Sequence, residues 1–173
     1  MAQHVIIFDS PDRTGKTEIS VELSKRLGVP RFKNHREGMF FERDPGYFCK
    51  ALRYGDPYFV SYLKQTGASV ILDRSFPSEW VYSQAFNRPT SMDILRMVDT
   101  MYAEIGAKII IPYRSSYHGI QDDQFKILDG PKLQKIDDLY NEFVKWTSCD
   151  VLRLCVDDED LQREVADIVA FLG

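Results

Sequence analysis

At 173 residues and 20.1 kDa the chain suits one domain, and a composition of 44% hydrophobic and 28% charged residues is that of an ordinary soluble globular protein. No apolar run approaches the roughly 20 residues of a membrane-crossing helix, and the first strand begins almost at once without a signal-peptide pattern, so a cytoplasmic protein lacking a targeting segment and a membrane partner is expected. A net charge of −4 disfavours strong nonspecific binding to nucleic acid, although a local basic cleft remains compatible with it.

The chain opens with an apolar, β-branched run, Val5 to Phe8, which reads as a buried strand. It runs into Asp9, Ser10, Pro11, Asp12, Arg13, Thr14, Gly15, Lys16 and Thr17, a loop of the form S-x-x-x-x-G-K-T. Ile19, Leu23 and Leu27 then fall on one helical face, with Glu22, Lys25 and Arg26 on the other, and Gly28 and Pro30 end the helix. Strand, loop and helix in this order form a phosphate-binding loop. Its backbone N–H groups, from Ser10 through Glu18, point inward to cradle phosphates, and the helix dipole adds to the same site. Lys16 is placed to reach the β- and γ-phosphates of ATP, and the Thr17 hydroxyl to ligate Mg²⁺. Serine at the first position departs from the usual glycine, and a positive φ there would strain it.

Helical spacing follows over 56–65, and an apolar run over 68–72 ends in Asp73 and Arg74. Helical patterns over 78–86 and 91–105 lead to a run over 106–112 that is broken by Pro112 and followed by Tyr113 and Arg114. Residues 114–128 are polar and aperiodic. A helix over 131–146, a strand over 150–156 whose Arg153 suggests a sheet edge, and a helix over 158–172 complete the chain. Strands alternating with helices predict an α/β fold, a parallel sheet of about five strands in a three-layer sandwich forming one domain over 1–173. Ligands of such sheets bind beyond the carboxyl ends of the strands, where Asp9, Asp73, Arg74, Tyr113 and Arg114 would converge. The three cysteines, Cys49, Cys149 and Cys155, lack metal-ligand spacing and read as free thiols, with Cys155 in the core.

Two motifs resemble the thymidylate kinase and deoxynucleoside kinase group of P-loop kinases. The run from Phe8 to Thr17 is similar to F-[ED]-G-x-D-R-x-G-K-[ST], and the run from Asp73 to Ser83 is similar to D-R-Y-x-x-S-x-x-A-Y-Q; Ser10, Ser75, Val81 and Ser83 depart from it. The resemblance implies a nucleoside/nucleotide kinase-like P-loop fold, phosphoryl transfer from ATP with Mg²⁺, and a lid over residues 114–128. It implies that Ser10, Asp12, Arg13, Thr14, Gly15, Lys16, Thr17, Glu18 and Arg114 hold the donor, and that Thr17 and Asp73 serve the metal. Arg13, Lys16, Asp12, Asp73 and Arg74 become the catalytic set, with Arg13 against the transferring phosphoryl group. Asp9, Asp12, Arg36, Glu37, Phe59, Arg74 and Tyr82 become the acceptor side, Phe59 as a stacking ring and Glu37 as a base for a hydroxyl acceptor.

A deoxynucleoside monophosphate of the dTMP type is the first acceptor expected. A hydroxyl of a nucleoside, of a modified base such as 5-hydroxymethyluracil, or of a DNA terminus is the second. The basic run of Arg31, Lys33, Arg36, Arg43, Lys50 and Arg53 argues for a nucleic-acid acceptor and for a role in DNA modification. A non-catalytic nucleotide-binding domain is the third reading, and a homodimer is among the assemblies expected.

Overall fold

The computed structural model describes residues 3–33, 44, 46–120 and 128–173. Five parallel strands, β1 (Val5–Phe8), β2 (Arg31–Lys33), β3 (Val70–Asp73), β4 (Lys108–Tyr113) and β5 (Asp150–Cys155), lie in the order β2-β3-β1-β4-β5. Six helices are described: α1 (Lys16–Leu27), α2 (Tyr47–Thr66), α3 (Phe76–Ala85), α4 (Met92–Glu104), α5 (Gly130–Val144) and α6 (Leu161–Leu172). Alternation along the strands divides the core between two faces. Val5, Ile7, Val70, Leu72, Ile109 and Ile111 meet the apolar stripes of α2 to α5, whereas Ile6, Phe8, Ile71, Ile110 and Leu154 meet α1 and α6. Both faces of the sheet are therefore covered, as an all-parallel sheet requires.

β1 pairs with β3 on one side, Phe8 opposite Asp73, and with β4 on the other, Phe8 opposite Ile110. This register brings the ends of β1 and β3 level, which places their C-terminal side chains next to the phosphate loop.

Three sequence expectations change. The helix expected at residue 56 begins at Tyr47, because Cys49 and Leu52 continue the buried stripe of Asp56, Val60 and Leu63 and Pro57 is carried inside the helix. Pro112 does not break β4. Ile110 accepts from the Asp9 amide on the β1 side, and Pro112 faces that same side two residues later, beyond the last β1 pairing, where its missing N–H costs no ladder bond. Cys155 is half-buried on edge strand β5, while Cys49 and Cys149 are the buried thiols; all three are free.

Candidate functional site

The phosphate loop is built as its sequence suggests, with the strain in a different place. Arg13 (φ 68°) and Gly15 (φ 67°) take the left-handed conformation, and Ser10 does not. Ser10 is buried, and its hydroxyl lies 2.7 Å from that of Thr14, with the Pro11 carbonyl 3.0 Å from each, so one hydroxyl donates to the other and the second to Pro11. Serine thus pins the loop from inside, and its Cβ meets no conformational penalty. Arg13 is exposed at the tip of the loop, Gly15 is the N-cap of α1, and Lys16, Thr17 and Glu18 form its first turn. A left-handed arginine costs on the order of 1–3 kcal/mol, a strain that persists only where surrounding contacts hold it. Arg114 is one such contact: its Nε donates to the Arg13 carbonyl at 2.9 Å, and its Nη2 pairs with Glu159 at 2.7 Å.

Next to the loop stands the end of β3. Lys16 Nζ donates to Asp73 Oδ1 at 2.6 Å, and Arg31 Nη2 pairs with Asp73 Oδ2. Burial alone would raise the Asp73 carboxyl, but Lys16 first and then Arg31 more than offset it, so the group sits below its usual value. Burial lowers Lys16 from its ordinary value, and the nearby Arg74 charge adds to that.

Arg74, also left-handed at φ 67°, turns its guanidinium across the loop. Nη1 donates to the Ser10 carbonyl at 3.1 Å and to Ser78 Oγ at 3.0 Å, and Nη2 donates to Asp12 Oδ1 at 2.5 Å. The Tyr82 hydroxyl donates to the other Asp12 oxygen at 3.0 Å, and the Tyr82 ring lies under the Arg74 guanidinium at 5.1 Å. Burial pushes the Tyr82 hydroxyl well above its ordinary value, so it stays a neutral donor. Three of the expected acceptor residues, Asp12, Arg74 and Tyr82, therefore form one connected group.

Asp9 is fully buried and accepts from the Ser75 amide at 3.1 Å, the Ser78 amide at 3.0 Å, the Ser78 hydroxyl at 2.5 Å and the Tyr140 hydroxyl at 2.6 Å. Ser75 is the N-cap of α3 but makes no side-chain cap bond, so a carboxylate from the end of β1 caps that helix across the fold. Asp9 Oδ1 also lies 3.6 Å from Arg74 Nη1, so the carboxylate that caps α3 stands directly behind the arginine of the expected acceptor side. Arg114, expected on the donor side, contacts the phosphate loop through the Arg13 carbonyl and is itself held by Glu159. The Phe59 ring stacks on Phe32 at 5.9 Å. Arg36, Glu37 and lid residues 121–127 lie outside the described residues.

Sequence reasoning overlooks Arg31, Glu159 and Tyr140. In the sequence Arg31 reads as part of a basic run, and Tyr140 as one more ring in a core stripe. Neither carries a local signal, because each acquires its role from a partner more than 40 residues away. Arg43 of the basic run, like Arg36, lies outside the described residues, and among those described the run is not a uniform stripe. Arg31 turns inward to Asp73, Lys50 pairs with Asp44 at 2.6 Å, and Arg53 lies over the Tyr54 ring at 5.6 Å. Among the described residues no cluster of three or more His, Cys, Asp or Glu offers a metal cage, and no helix is long and apolar enough to cross a membrane.

The five-stranded parallel sheet covered by helices on both faces, with the lysine-bearing loop between β1 and α1, has the α/β fold of P-loop kinases of known structure. Solved structures agree on the fold. The chain superposes on a thymidylate kinase from Ehrlichia chaffeensis over 100% of both chains, with 14% identity and a TM-score of 0.68. It matches the YorR protein of Bacillus subtilis, solved with phosphorylated GDP, over 97% of this chain and 95% of that one, at 18% identity and a TM-score of 0.65. It matches a deoxyadenosine kinase from M. mycoides, solved with bound dATP, over 96% and 98% of the two chains, at 19% identity and a TM-score of 0.58. No family profile and no curated protein sequence matches the chain.

Proposed function

We propose that the protein is a phosphotransferase that moves the γ-phosphoryl group of ATP to a nucleotide or nucleoside acceptor, with a deoxynucleoside monophosphate of the dTMP type as the first candidate. The observation that carries this reading is the juxtaposition of two charged pairs at adjacent strand ends: Lys16 on Asp73, and Arg74 on Asp12. Phosphoryl transfer asks little covalent chemistry of a protein and much positioning and charge compensation. Lys16 and the loop amides hold the donor. Arg13, exposed at the loop tip, supplies positive charge where the phosphoryl group would pass. Arg74 holds the acceptor phosphate by exchanging Asp12 for it, aided by its planar fork.

The donor set suits Mg²⁺, because Thr17 and Asp73 offer hard oxygens and this metal binds through one or two carboxylates together with substrate phosphates and water. When bound, it would neutralise charge on the phosphate oxygens.

A second reading replaces the acceptor phosphate by a hydroxyl. It is favoured by the Asp12 carboxylate, which already neutralises Arg74 and leaves an oxygen-rich surface suited to accept a hydrogen bond from a sugar hydroxyl. A nucleic-acid acceptor has less support, since the basic run is partly consumed internally.

A transfer assay with γ-labelled ATP and Mg²⁺ separates these readings. The panel holds the four dNMPs, dUMP, 5-hydroxymethyl-dUMP, the nucleosides, and oligonucleotides with ordinary or hydroxymethylated bases. Label on a monophosphate supports the first reading and names the base. Label on a nucleoside or an oligonucleotide alone moves the acceptor and keeps the loop. Bound ATP with no transfer to any member supports a nucleotide-binding domain without catalysis.

A further inference from the structure

Two of the four described non-glycine residues with left-handed backbone meet across one guanidinium. Arg13 (φ 68°) lies at the tip of the phosphate loop, and Glu159 (φ 52°) lies between β5 and α6. Arg114 stands between them. Its Nε donates to the Arg13 carbonyl at 2.9 Å, and its Nη2 donates to Glu159 Oε1 at 2.7 Å. Nε and Nη2 lie on the same edge of the guanidinium and form the planar fork that ordinarily grips one carboxylate. Here the fork is split between two segments of the chain.

The backbone that carries Arg114 is itself fixed. The Arg114 amide donates to the Tyr117 hydroxyl at 3.2 Å, the Ser115 amide to Asp157 Oδ1 at 3.0 Å, and the Val156 amide to the Tyr113 carbonyl at 3.0 Å. Tyr117 is buried. A guanidinium on such a mount sets where the Arg13 carbonyl points. The peptide bond from Arg13 to Thr14 is trans, so a carbonyl turned toward Arg114 turns the Thr14 N–H away from it. Left-handed residues in a loop are what bring successive N–H groups to one side as an anion cradle. Glycine takes that conformation freely, as Gly15 (φ 67°) does two residues later, whereas arginine resists it.

We infer that Arg114 is a positioning residue that braces the loop: by holding the Arg13 carbonyl it keeps the strained turn in its phosphate-binding shape before the nucleotide arrives. Its effect on the nucleotide passes through the conformation of Arg13 and needs no contact between Arg114 and the donor. The inference rests on the reading of the loop as an ATP site.

Equilibrium binding of MgATP by calorimetry, in a cycle that combines Arg114→Met with Arg13→Gly, tests it. Arg114→Met removes both donors of the fork and keeps most of the side chain's length. It is expected to weaken MgATP binding about tenfold, as the loop loses a contact that holds a strain of this order. Arg13→Gly removes the strain together with a charge, and the cycle cancels its own effect on affinity. In that background the left-handed turn no longer needs holding, so adding Arg114→Met should weaken binding by less than about threefold. An arginine that touched the nucleotide directly would give the same penalty in both backgrounds. Arg114→Lys keeps the charge but lacks the fork and should fall between Arg114→Met and wild type.

Wild-type affinity in Arg114→Met, or an undiminished penalty in the Arg13→Gly background, overturns the brace and leaves the ATP site standing. Failure of the wild-type protein to bind MgATP overturns both. Should Arg114→Met not fold, Arg114→Lys in the same two backgrounds carries the test, with wild-type affinity or equal penalties counting against the brace.

Discussion

Asp9 shows how one buried carboxylate can cap a helix from another part of the fold. It satisfies two amides at the start of α3 and two hydroxyls, one from α5. Asp9→Ala would uncap α3 and leave the Tyr140 hydroxyl buried without an acceptor, at a cost of about 3 kcal/mol. For a chain of this size, that lowers Tm by roughly 6–12 °C in a thermal melt. A loss under about 2 °C would mean that the cap is dispensable. Asp73 makes a pH-dependent contribution whose sign follows from its surroundings. Burial opposes its charge, but Lys16 and Arg31 together hold the folded-state carboxyl below its ordinary 3.8. The stability it adds is thus fully present above the unfolded value and is lost as pH falls through the lower folded value. Acid unfolding of wild type and Asp73→Asn should therefore converge as pH drops below about 4, and a gap constant down to about pH 2 would contradict the ion-pair account.

At the scale of elements, the packing of the Tyr117–His118 segment against the start of α5 leaves no room for a side chain. A Cβ at Gly130 would stand 2.3 Å from the Tyr117 carbonyl oxygen and 3.2 Å from its carbon, both of them backbone. Alanine normally gains up to about 1 kcal/mol over glycine inside a helix. Here overpacking against an unyielding backbone wins, so Gly130→Ala is expected to destabilise by about 1–3 kcal/mol net, measured by thermal or denaturant unfolding. A stabilised variant would show that the backbone at Tyr117 moves aside freely. The Arg114 brace belongs to this scale as well. By linking the end of β4, the Arg13 carbonyl and Glu159 ahead of α6, it ties the loop to two elements on the other half of the sheet. Three of the four described non-glycine residues with left-handed backbone, Arg13, Arg74 and Glu159, lie in or against this arrangement. Strain gathered in one place accords with a pre-organised site.

For the molecule as a whole, the sheet order places the two motif-bearing strands, β1 and β3, side by side with β2 outside them. Ligand binding to the native state should then stabilise the entire domain. MgATP at about 100 times its Kd adds about 2.7 kcal/mol, a rise in Tm of roughly 5–10 °C. Lys16→Ala should abolish that shift and cut turnover by about 10²-fold or more while the ligand-free protein still folds, because Asp73 keeps Arg31. An undiminished shift in Lys16→Ala would place the nucleotide elsewhere.

Much of this was legible in one dimension. A β-branched run before S-x-x-x-x-G-K-T specifies strand, loop and helix through local periodicity and backbone chemistry, and β1 and α1 occupy the expected residues. The helical stripes of α3 to α6 were readable for the same reason, since each buries one face against a sheet. The start of α2 was not, because Gly55 and Pro57 mimic a boundary that packing of Cys49 and Leu52 overrides. For the candidate site, the family resemblance named Lys16, Asp12, Asp73, Arg74 and Tyr82, while their pairings with one another could not be read from the sequence. That Asp9 caps a helix, that Arg31 leaves its basic run for Asp73, and that Arg114 braces Arg13 are consequences of strand register and crossover. Those contacts join residues 42 to 101 positions apart. The sequence by itself determined which chemical groups the loop and strand ends carry, because local backbone preferences act over a few residues. Only the tertiary structure decided which charges meet, because Coulomb and hydrogen-bond partners depend on distances that the sheet sets.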